Sequence, residues 1–445
     1  MRTNSTHFYC KHALVLLLCL FVSISTMFAV PAWSGWQTKS QPDGTTIVVR
    51  QLGDEFYSYW ETQDGKLAVQ QADGTFVVSD KPLPTPAQVS VRRQSSPMYD
   101  RPLRKAAAKA LTPPKGLAIL VQFEDEKFQD GNDNQGFHDM LNKKGYSYNG
   151  ATGSARDYFI AQSDSMYKPD FDVFGPVTLP HDVIYYGEHG DVDVIGIDGN
   201  PTGEKKDAND KYMADFVVDA VLAADTAGCD FSQYDSDGDG KVDIIYFFYA
   251  GKSEAEGGLS KTIWPHSWNL AAALYQRRTH GLTGFDGENL PELDGKTILN
   301  YVCSSELSKE GVRNGIGTFC HEFGHVLGLP DYYDTKYGYN SVNERTPGCW
   351  SIMDAGSYNN ESRTPPNYSI YDKFFLGWAT PKFLQKDADL DIVLTTDYDD
   401  AYQMTGGSES VDWNYAGKVY YVENRQQTGW DALARSRYVD LGGGL

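Results

Sequence analysis

The chain has 445 residues, of which 41% are hydrophobic and 13% aromatic, so it can bury more than one core and two or three folded units are expected. It carries 60 acidic against 39 basic residues, a formal net charge of -21. Because binding to nucleic acid or to an anionic membrane surface requires basic patches, this charge excludes nucleic acid as a partner. An acidic excess is typical of a solvated surface and does not identify a substrate.

The N-terminus has the pattern of a secretory signal peptide. Basic residues precede an apolar run over residues 13–24, and Ala29 and Ala32 offer cleavage points. Residues 1–32 are therefore predicted to be removed on export, which leaves a secreted chain without a transmembrane segment. The alternative is an uncleaved membrane anchor, for which the apolar run is short.

A small β-rich unit is predicted over residues 33–110. Four strand-like runs alternate with Asp-Gly turns, which indicates an antiparallel meander. The runs cover residues 45–50, 55–61, 66–70 and 75–79. A proline-rich stretch with basic clusters follows over residues 81–115 and is typical of a protease-sensitive linker. The unit is either a propeptide or a stable accessory domain.

Strands and helices are mixed over residues 111–383. Apolar runs predict strands at residues 116–123, 171–179 and 242–249, and helical periodicity predicts helices at residues 155–162, capped by Ser154, and 208–224. This order indicates an α+β or mixed-sheet domain. Residues 384–445 turn strand-rich, with a likely sheet element at 419–423. Because the chain stops in what reads as a strand-entry turn, we expect a further C-terminal piece.

An Asp-rich loop precedes the third of these strands. Its candidate calcium ligands are Asp235, Asp237, Asp239, Lys241 and Asp243. The spacing follows an EF-hand loop, but the position that needs a bidentate Glu is Tyr246, so the loop is not an EF-hand. It is either a structural calcium site whose final ligand comes from another part of the chain or a Gly/Asp turn whose polar groups bind only water. Four crowded aspartates repel one another without a cation, which favours calcium.

Four cysteines lie beyond the predicted signal peptide, and three disulfide pairings can form among them. They are Cys229, Cys303, Cys320 and Cys349. Their spacing does not match a zinc site. Cys320 is expected either in a disulfide or as a free buried thiol. Histidines without a metal-spaced partner, including His266, are interpreted as ordinary core or surface residues.

The most informative feature is the run HEFGHVLGLPD, which begins at His321. Two histidines four residues apart on a helix lie on one face, so His321 and His325 can bind a single ion. Gly328 and Pro330 end the helix, and the chain then brings Asp331 back towards the ion. Three protein ligands with a fourth position open is the arrangement of a catalytic zinc.

Glu322 lies between the two histidines and is the candidate general base. A carboxylate beside the metal can take a proton from a water whose pKa the metal has lowered, and can later deliver it to a leaving amine. This is the chemistry of peptide hydrolysis. A rival third ligand is Glu344, at the distance used in thermolysin-like enzymes, but it falls in a polar stretch without helical periodicity, so Asp331 is preferred.

The stretch HEFGHVLGLPDYYD closely resembles the active-site segment of the immune inhibitor A family of secreted metallopeptidases, within the metzincin group. The resemblance extends from about Gly116 to the C-terminus and includes the Asp-rich loop. It implies a metzincin-like catalytic domain with the zinc helix in a cleft. It also implies a methionine-containing turn below the zinc, assigned to Met353. Tyr358 does not have the spacing of the oxyanion-stabilising tyrosine of some metzincins and receives no role.

The sequence therefore predicts a secreted zinc endopeptidase that acts on proteins. Because a secreted peptidase that could digest its own cell is commonly made as a zymogen, residues 33–110 are interpreted as a propeptide. No cysteine lies between Cys19 and Cys229, so a cysteine switch is excluded and the blocking group is not identified. The alternative is a calcium-stabilised binding or adhesion module that has lost catalysis. The presence of Glu322 argues against it.

Overall fold

The computed structural model describes residues 28–54, 57–85, 115–195, 201–208, 210–277, 285, 289–333, 346–384, 401–405 and 419–434. Over this part of the chain the protein combines β-sheets with short helices, so the α+β class predicted from the sequence is confirmed. Within the same residues, we find no helix with the length and apolarity that a membrane crossing requires.

The strands are numbered in chain order. They are β1 (Phe28–Ala29), β2 (Gln37–Ser40), β3 (Thr46–Asp54), β4 (Tyr57–Thr62), β5 (Leu67–Gln70), β6 (Phe76–Val78), β7 (Lys115–Gln122), β8 (Asp170–Thr178), β9 (Gly190–Ile195), β10 (Pro201–Ala208), β11 (Ile245–Lys252), β12 (His266–Asn269), β13 (Glu292–Leu293), β14 (Lys296–Thr297), β15 (Asn300–Leu307), β16 (Lys382–Phe383), β17 (Tyr402–Thr405) and β18 (Val419–Val422).

The α-helices are also numbered in chain order, and short 3₁₀ turns lie between them. The helices are α1 (Asn134–Asn142), α2 (Ala155–Gln162), α3 (Val183–Tyr186), α4 (Met213–Thr226), α5 (Leu270–Arg277), α6 (Ile316–Val326) and α7 (Ile370–Phe375). The 3₁₀ turns are Tyr148–Gly150, Phe231–Tyr234, Glu254–Glu256, Gly348–Trp350, Ala355–Tyr358 and Gly429–Asp431.

A six-stranded sheet forms the centre of the molecule, in the order β1-β12-β15-β11-β7-β8. Strands β15, β11, β7 and β8 run parallel to their neighbours, whereas β12 pairs antiparallel with β15. The outer edge of β12 is covered by β1, also antiparallel, with Phe28 opposite Ser267 and Ala29 opposite His266. The first residues that the structure describes therefore extend the central sheet.

Both faces of this sheet are buried. Successive side chains of β7 alternate between two cores, with Leu117 and Ile119 in one and Ala118 and Leu120 in the other. The first core also contains the apolar residues of α4, and the second contains those of α6. Strands covered by helices on both faces are continuous apolar runs, which is the reason that β7 and β11 can be identified in the sequence.

The predicted meander is confirmed and has one strand more than expected. Strands β2 to β6 pair antiparallel in sequence order. The glycine of each Asp-Gly turn has a positive φ, between 76° and 82° at Gly44, Gly65 and Gly74. Its small core includes Trp60 and Phe76, whose rings pack edge to face with centroids 5.0 Å apart. Aromatic pairs of this kind stabilise small sheets.

One predicted helix starts in the wrong place. Residues 208–224 were expected to be helical, but α4 begins at Met213, because β10 continues to Ala208 and pairs there with Gly190 on β9. The predicted cap of α2 is confirmed. The Ser154 hydroxyl accepts from the Asp157 N–H, and the Asp157 carboxylate accepts from the Ser154 N–H, which is a complete capping box.

Replacing Phe319 by Ala tests the packing of α6 on the sheet. Its ring contacts Tyr246 and Phe171 with centroids 4.5 Å and 5.1 Å away, and only 1% of the residue is exposed. We expect Phe319→Ala to lower the free energy of unfolding by about 3–5 kcal/mol, measured by urea denaturation. Phe374→Ala, at a residue that is 41% exposed, is the control. Equal losses in the two variants would contradict this packing.

Candidate metal centre

Helix α6 carries His321, Glu322 and His325, all of them buried. The helix ends as the sequence predicts. Gly328 has a φ of +99°, and its N–H donates to the His325 carbonyl at 2.9 Å. The Leu329 N–H donates to the Gly324 carbonyl, also at 2.9 Å. These two bonds form a Schellman motif, which reverses the chain after α6.

The reversed chain brings Asp331 to the two imidazoles. The Nε2 atoms of His321 and His325 are 3.1 Å apart, and Asp331 Oδ1 lies 3.2 Å from the first and 3.3 Å from the second. Three candidate ligand atoms thus form a nearly equilateral triangle. A tetrahedral zinc with bonds of about 2.0–2.1 Å keeps its ligand atoms about 3.3 Å apart, so the triangle has the size of one face of its coordination shell.

The outer nitrogens of both imidazoles are occupied by backbone carbonyls. His321 Nδ1 lies 2.6 Å from the Ile352 oxygen, and His325 Nδ1 lies 2.8 Å from the Leu329 oxygen. A carbonyl only accepts, so each Nδ1 carries the proton and each Nε2 presents a lone pair towards Asp331. Burial lowers the pKa of His325, which favours the neutral ring that metal binding requires.

Asp331 adds a carboxylate to these lone pairs. Asp331 Oδ1 accepts no hydrogen bond from any described residue. Three electron-rich atoms facing one another at this distance repel unless a cation lies between them. The donor set, two imidazole nitrogens and one carboxylate oxygen, suits a divalent ion such as zinc.

Glu322 lies beside this triangle, and a carboxylate oxygen of Glu322 lies within 4.8 Å of a ring nitrogen of both His321 and His325. Burial and the neighbouring Asp331 charge raise the pKa of Glu322 well above its ordinary value, while a hydrogen bond from the Val30 N–H acts in the opposite direction. That bond reaches Oε1 at 3.0 Å. The other oxygen, Oε2, is buried and accepts no hydrogen bond within the described part of the chain. Glu322 therefore has one carboxylate oxygen available for a further proton donor.

Met353, the residue assigned to the predicted methionine turn, is fully buried against α6, and its assignment to that turn stays a prediction. A β-carbon added at Gly324 would lie 2.6 Å from Met353 Sδ, so helix and methionine approach one another as closely as a glycine permits. The Met353 carbonyl accepts from the Tyr332 N–H at 2.8 Å, and the preceding residue, Ile352, supplies the carbonyl that orients His321. This turn therefore links the helix to the segment that carries Asp331.

Sequence reasoning missed three groups at the centre: Val30, the indole of Trp264 and the hydroxyl of Tyr358. Trp264 Nε1 donates to the Val30 carbonyl, and the Tyr358 hydroxyl donates to the Pro31 carbonyl. Val30 was interpreted as part of the signal peptide. Trp264 and Tyr358 have no motif spacing that could have identified them. The rival ligand Glu344 lies outside the described residues.

The structure brings the aspartates of the predicted calcium loop together, but lysines contact two of them. Carboxylate oxygens of Asp235, Asp237 and Asp239 lie within 4.8 Å of one another. Lys296 Nζ donates to Asp235 at 2.6 Å and, as the largest cause, lowers the pKa of Asp235. Lys241 pairs with Asp239 through its ammonium group.

Asp243, the last candidate calcium ligand, accepts from the Ser236 N–H at 2.7 Å. The ammonium groups on two of the aspartates compensate part of the negative charge without an ion. Calcium binding at this loop therefore stays a prediction.

The four cysteines beyond the predicted signal peptide are free thiols in the structure. Cys229, Cys303 and Cys320 are buried and Cys349 is half-buried. Of the two alternatives for Cys320, the structure thus has the free buried thiol, and burial raises its pKa. His266 is a buried core residue, bonded to the Trp264 carbonyl and the Tyr301 hydroxyl.

Calcium binding at the Asp-rich loop is tested by thermal denaturation. If the loop binds calcium, adding Ca²⁺ at about 100 times the Kd to chelator-treated protein stabilises it by about 2.7 kcal/mol, which we expect as an increase of several degrees in Tm. Asp237→Asn should abolish the increase, whereas Asp73→Asn, in a surface turn of the meander, should preserve it. Equal Tm with and without calcium would show that the lysines alone satisfy the loop.

The contact of Gly324 with Met353 predicts that a single methyl group disturbs the site. Met353 is fully buried, so its side chain cannot move into solvent to make room for a methyl group. We therefore expect Gly324→Ala to destabilise the metal-free protein by about 1–3 kcal/mol, measured by urea denaturation. Gly190→Ala is the matched control, since the nearest atoms to its added β-carbon are 3.7 Å away. Unchanged stability of Gly324→Ala would contradict the close approach.

Residues 111–379 match the family described as immune inhibitor A peptidase M6, catalytic domain. The chain is 26% identical over 296 residues to pre-pro-metalloprotease PrtV of Vibrio cholerae serotype O1 (strain M66-2), covering 59% of this chain and 29% of that protein. It is 27% identical over 295 residues to immune inhibitor A of Bacillus thuringiensis subsp. alesti, covering 59% of this chain and 39% of that protein.

The matched stretch thus spans well under half the length of these two relatives. The solved structure of metalloproteinase-II from Bacteroides fragilis aligns with 82% of this chain and 94% of its own at 10% identity, and the TM-score of 0.25 does not establish a shared fold. The family match covers more than half of the chain, so the chain belongs to the immune inhibitor A peptidase M6 family.

Proposed function

We propose that this chain is a zinc-dependent endopeptidase that hydrolyses peptide bonds in proteins. The observation that carries the proposal is the triangle of His321 Nε2, His325 Nε2 and Asp331 Oδ1, with edges of 3.1 to 3.3 Å, next to the buried carboxylate of Glu322. Membership of a peptidase family and the metalloprotease name of the relative PrtV support the same conclusion.

His321, His325 and Asp331 are the proposed zinc ligands. When bound, zinc supplies a Lewis acid that polarises the peptide carbonyl and lowers the pKa of a water. The protein holds the two rings in the required tautomer through the Ile352 and Leu329 carbonyls. Loss of one such outer partner typically costs 10–100-fold in metal affinity, so these carbonyls are part of the proposed site.

Glu322 is the proposed general base. Its raised pKa means that the carboxylate holds a proton more strongly than an exposed glutamate does. Oε2, which accepts no hydrogen bond from a described residue, is the atom that would take a proton from the attacking water. Glu322 then donates this proton to the amine of the departing peptide, so one carboxylate serves both steps.

The domain organisation proposed from the sequence places this activity in an exported zymogen. It comprises a signal peptide (1–32), a propeptide and linker (33–110), a metzincin-like catalytic domain (111–383) and a β-rich C-terminal segment (384–445). The folded meander and the match of residues 111–379 to a catalytic domain support this division. The substrate is protein.

Glu322→Gln tests the base separately from the metal. We expect one zinc per chain in both the parent and the variant, measured by mass spectrometry of the metal. After limited proteolysis in the linker at residues 81–115, we expect casein hydrolysis by the variant to fall about 10²–10⁴-fold, since general acid–base catalysis contributes that much.

Glu310→Gln, at a side chain that is 60% exposed, is the control and should leave activity unchanged. His325→Ala should lose the zinc itself. If Glu322→Gln hydrolyses casein as fast as the parent, the proposed mechanism is wrong. If the parent binds no zinc and cleaves nothing, the chain is the binding module that the sequence left as its alternative.

A further inference from the structure

The segment that follows β18 contacts a turn beside the metal centre through Arg425. The Arg425 side chain is only 12% exposed, although most arginines in proteins lie at the surface. Its Nη1 donates to the Trp350 carbonyl at 2.7 Å, and its Nη2 donates to the Asn367 carbonyl at 2.9 Å. The guanidinium carbon also lies 5.4 Å from the centre of the Trp350 ring. One largely buried cation therefore joins three segments of the chain.

Asp431 holds this cation in place. Its Oδ2 accepts from Arg425 Nε at 3.1 Å and its Oδ1 accepts from Arg425 Nη2, which makes the pair bidentate. The same two oxygens accept from the Asn367 N–H and from Asn367 Nδ2, each at 2.9 Å. The neighbouring Trp430 packs edge to face on Tyr158 of α2, with ring centroids 5.1 Å apart. Each Asp431 oxygen thus has two donors, which is the condition under which a buried ion pair is tolerated.

The first carbonyl that Arg425 contacts lies next to the group that orients a candidate ligand. Trp350 ends the 3₁₀ turn Gly348–Trp350, and Ile352 follows two residues later. The Ile352 carbonyl lies 2.6 Å from His321 Nδ1 and fixes the tautomer of that ring. Trp350 is itself buried. The guanidinium thus holds the backbone two residues from the carbonyl on which the orientation of His321 depends.

The second carbonyl connects to the same helix by another route. Asn367 precedes Tyr368, whose hydroxyl donates to the Cys320 carbonyl at 3.4 Å within α6. The Tyr368 hydroxyl would also lie 3.2 Å from a β-carbon added at Gly324. Cys320 and Gly324 each come directly before one of the two histidines in the sequence. Both attachments of Arg425 therefore lead to the part of α6 that carries the candidate ligands.

We propose that Arg425 is a positioning residue of the metal centre, which it stabilises by holding the turn that carries the Ile352 carbonyl. The proposal rests on the proposed function, because the centre that Arg425 positions is the proposed zinc site. It places residues 423–434 in the catalytic unit. The unit then extends beyond the boundary at residue 383 predicted from the sequence, and beyond residue 379, where the family match ends.

The zinc affinity of the full-length chain tests this role. A direct partner of a metal-bound imidazole is typically worth 10–100-fold in metal affinity, and Arg425 acts one contact further away. We expect Arg425→Ala to raise the zinc Kd at least 5-fold, measured by competition with a chelator of known affinity. All three proposed ligands remain in this variant. Phe216→Ala, in the core on the opposite face of the central sheet from α6, is the control for lost stability and should keep the parent's zinc Kd.

The visible absorption spectrum of the cobalt-loaded protein is a second readout, because it depends on the geometry of the ligands around Co²⁺. We expect the bands of Arg425→Ala to shift or to lose intensity, and those of Phe216→Ala to match the parent. If Arg425→Ala does not fold, Arg425→Lys replaces it. Lysine keeps a cation beside Asp431 but lacks the planar group that contacts both carbonyls, so it should raise the zinc Kd at least 2-fold.

A folded Arg425 variant with the parent's zinc Kd and cobalt spectrum would overturn the positioning role and leave the proposed function intact. Equal increases of the zinc Kd in Arg425→Ala and Phe216→Ala would also overturn it, because the effect would then follow from lost stability. A parent chain that binds no zinc would refute the proposed function, and the positioning role with it.

Discussion

Three electron-rich atoms face one another in the interior of this protein. The structure around them holds them close together in spite of their mutual repulsion. Two imidazole lone pairs and a carboxylate oxygen lie 3.1 to 3.3 Å apart, a spacing at which they repel. The protein maintains this spacing because backbone interactions hold each of the three groups in position. Backbone carbonyls orient both rings, and the Schellman turn after α6 returns Asp331 to them. Such preorganisation is stable only where the surrounding packing does not yield.

Close packing next to the candidate metal centre keeps its three groups in place. Helix α6 lies on the central sheet through aromatic residues, and on its other side Gly324 contacts Met353 with no room for a β-carbon. The turn that contains Met353 also bonds to Tyr332, next to Asp331. Helix, turn and ligand segment are therefore fixed relative to one another before any ion binds. The free energy needed to position the ligands is supplied when the chain folds, so metal binding does not have to supply it.

Local sequence signals predicted the helix and turns around the candidate site, whereas long-range contacts could not be predicted from them. The helix that carries His321, Glu322 and His325, the Gly328 turn and the Asp-Gly turns of the meander are each decided by a few neighbouring residues. The start of α4 was predicted wrongly because pairing between β9 and β10 extends the strand to Ala208. Lys296, which pairs with the Asp-rich loop from 61 residues away, gave no signal either.

The position of Val30 is the strongest case of this limit. Its sequence context is that of a signal-peptide cleavage region, and only the folded chain brings its N–H to Glu322. The hydrogen bond between the Val30 N–H and Glu322 Oε1 joins residues 292 positions apart, a separation that local sequence patterns cannot bridge.

The central claim is that His321, His325 and Asp331 together bind one zinc ion. Anomalous X-ray diffraction from a crystal of the zinc-loaded chain, recorded on both sides of the zinc absorption edge, tests it most directly. We predict a single strong peak within about 2.0–2.2 Å of the two Nε2 atoms and a carboxylate oxygen of Asp331. A peak with other ligands, or none at this position, would contradict the account.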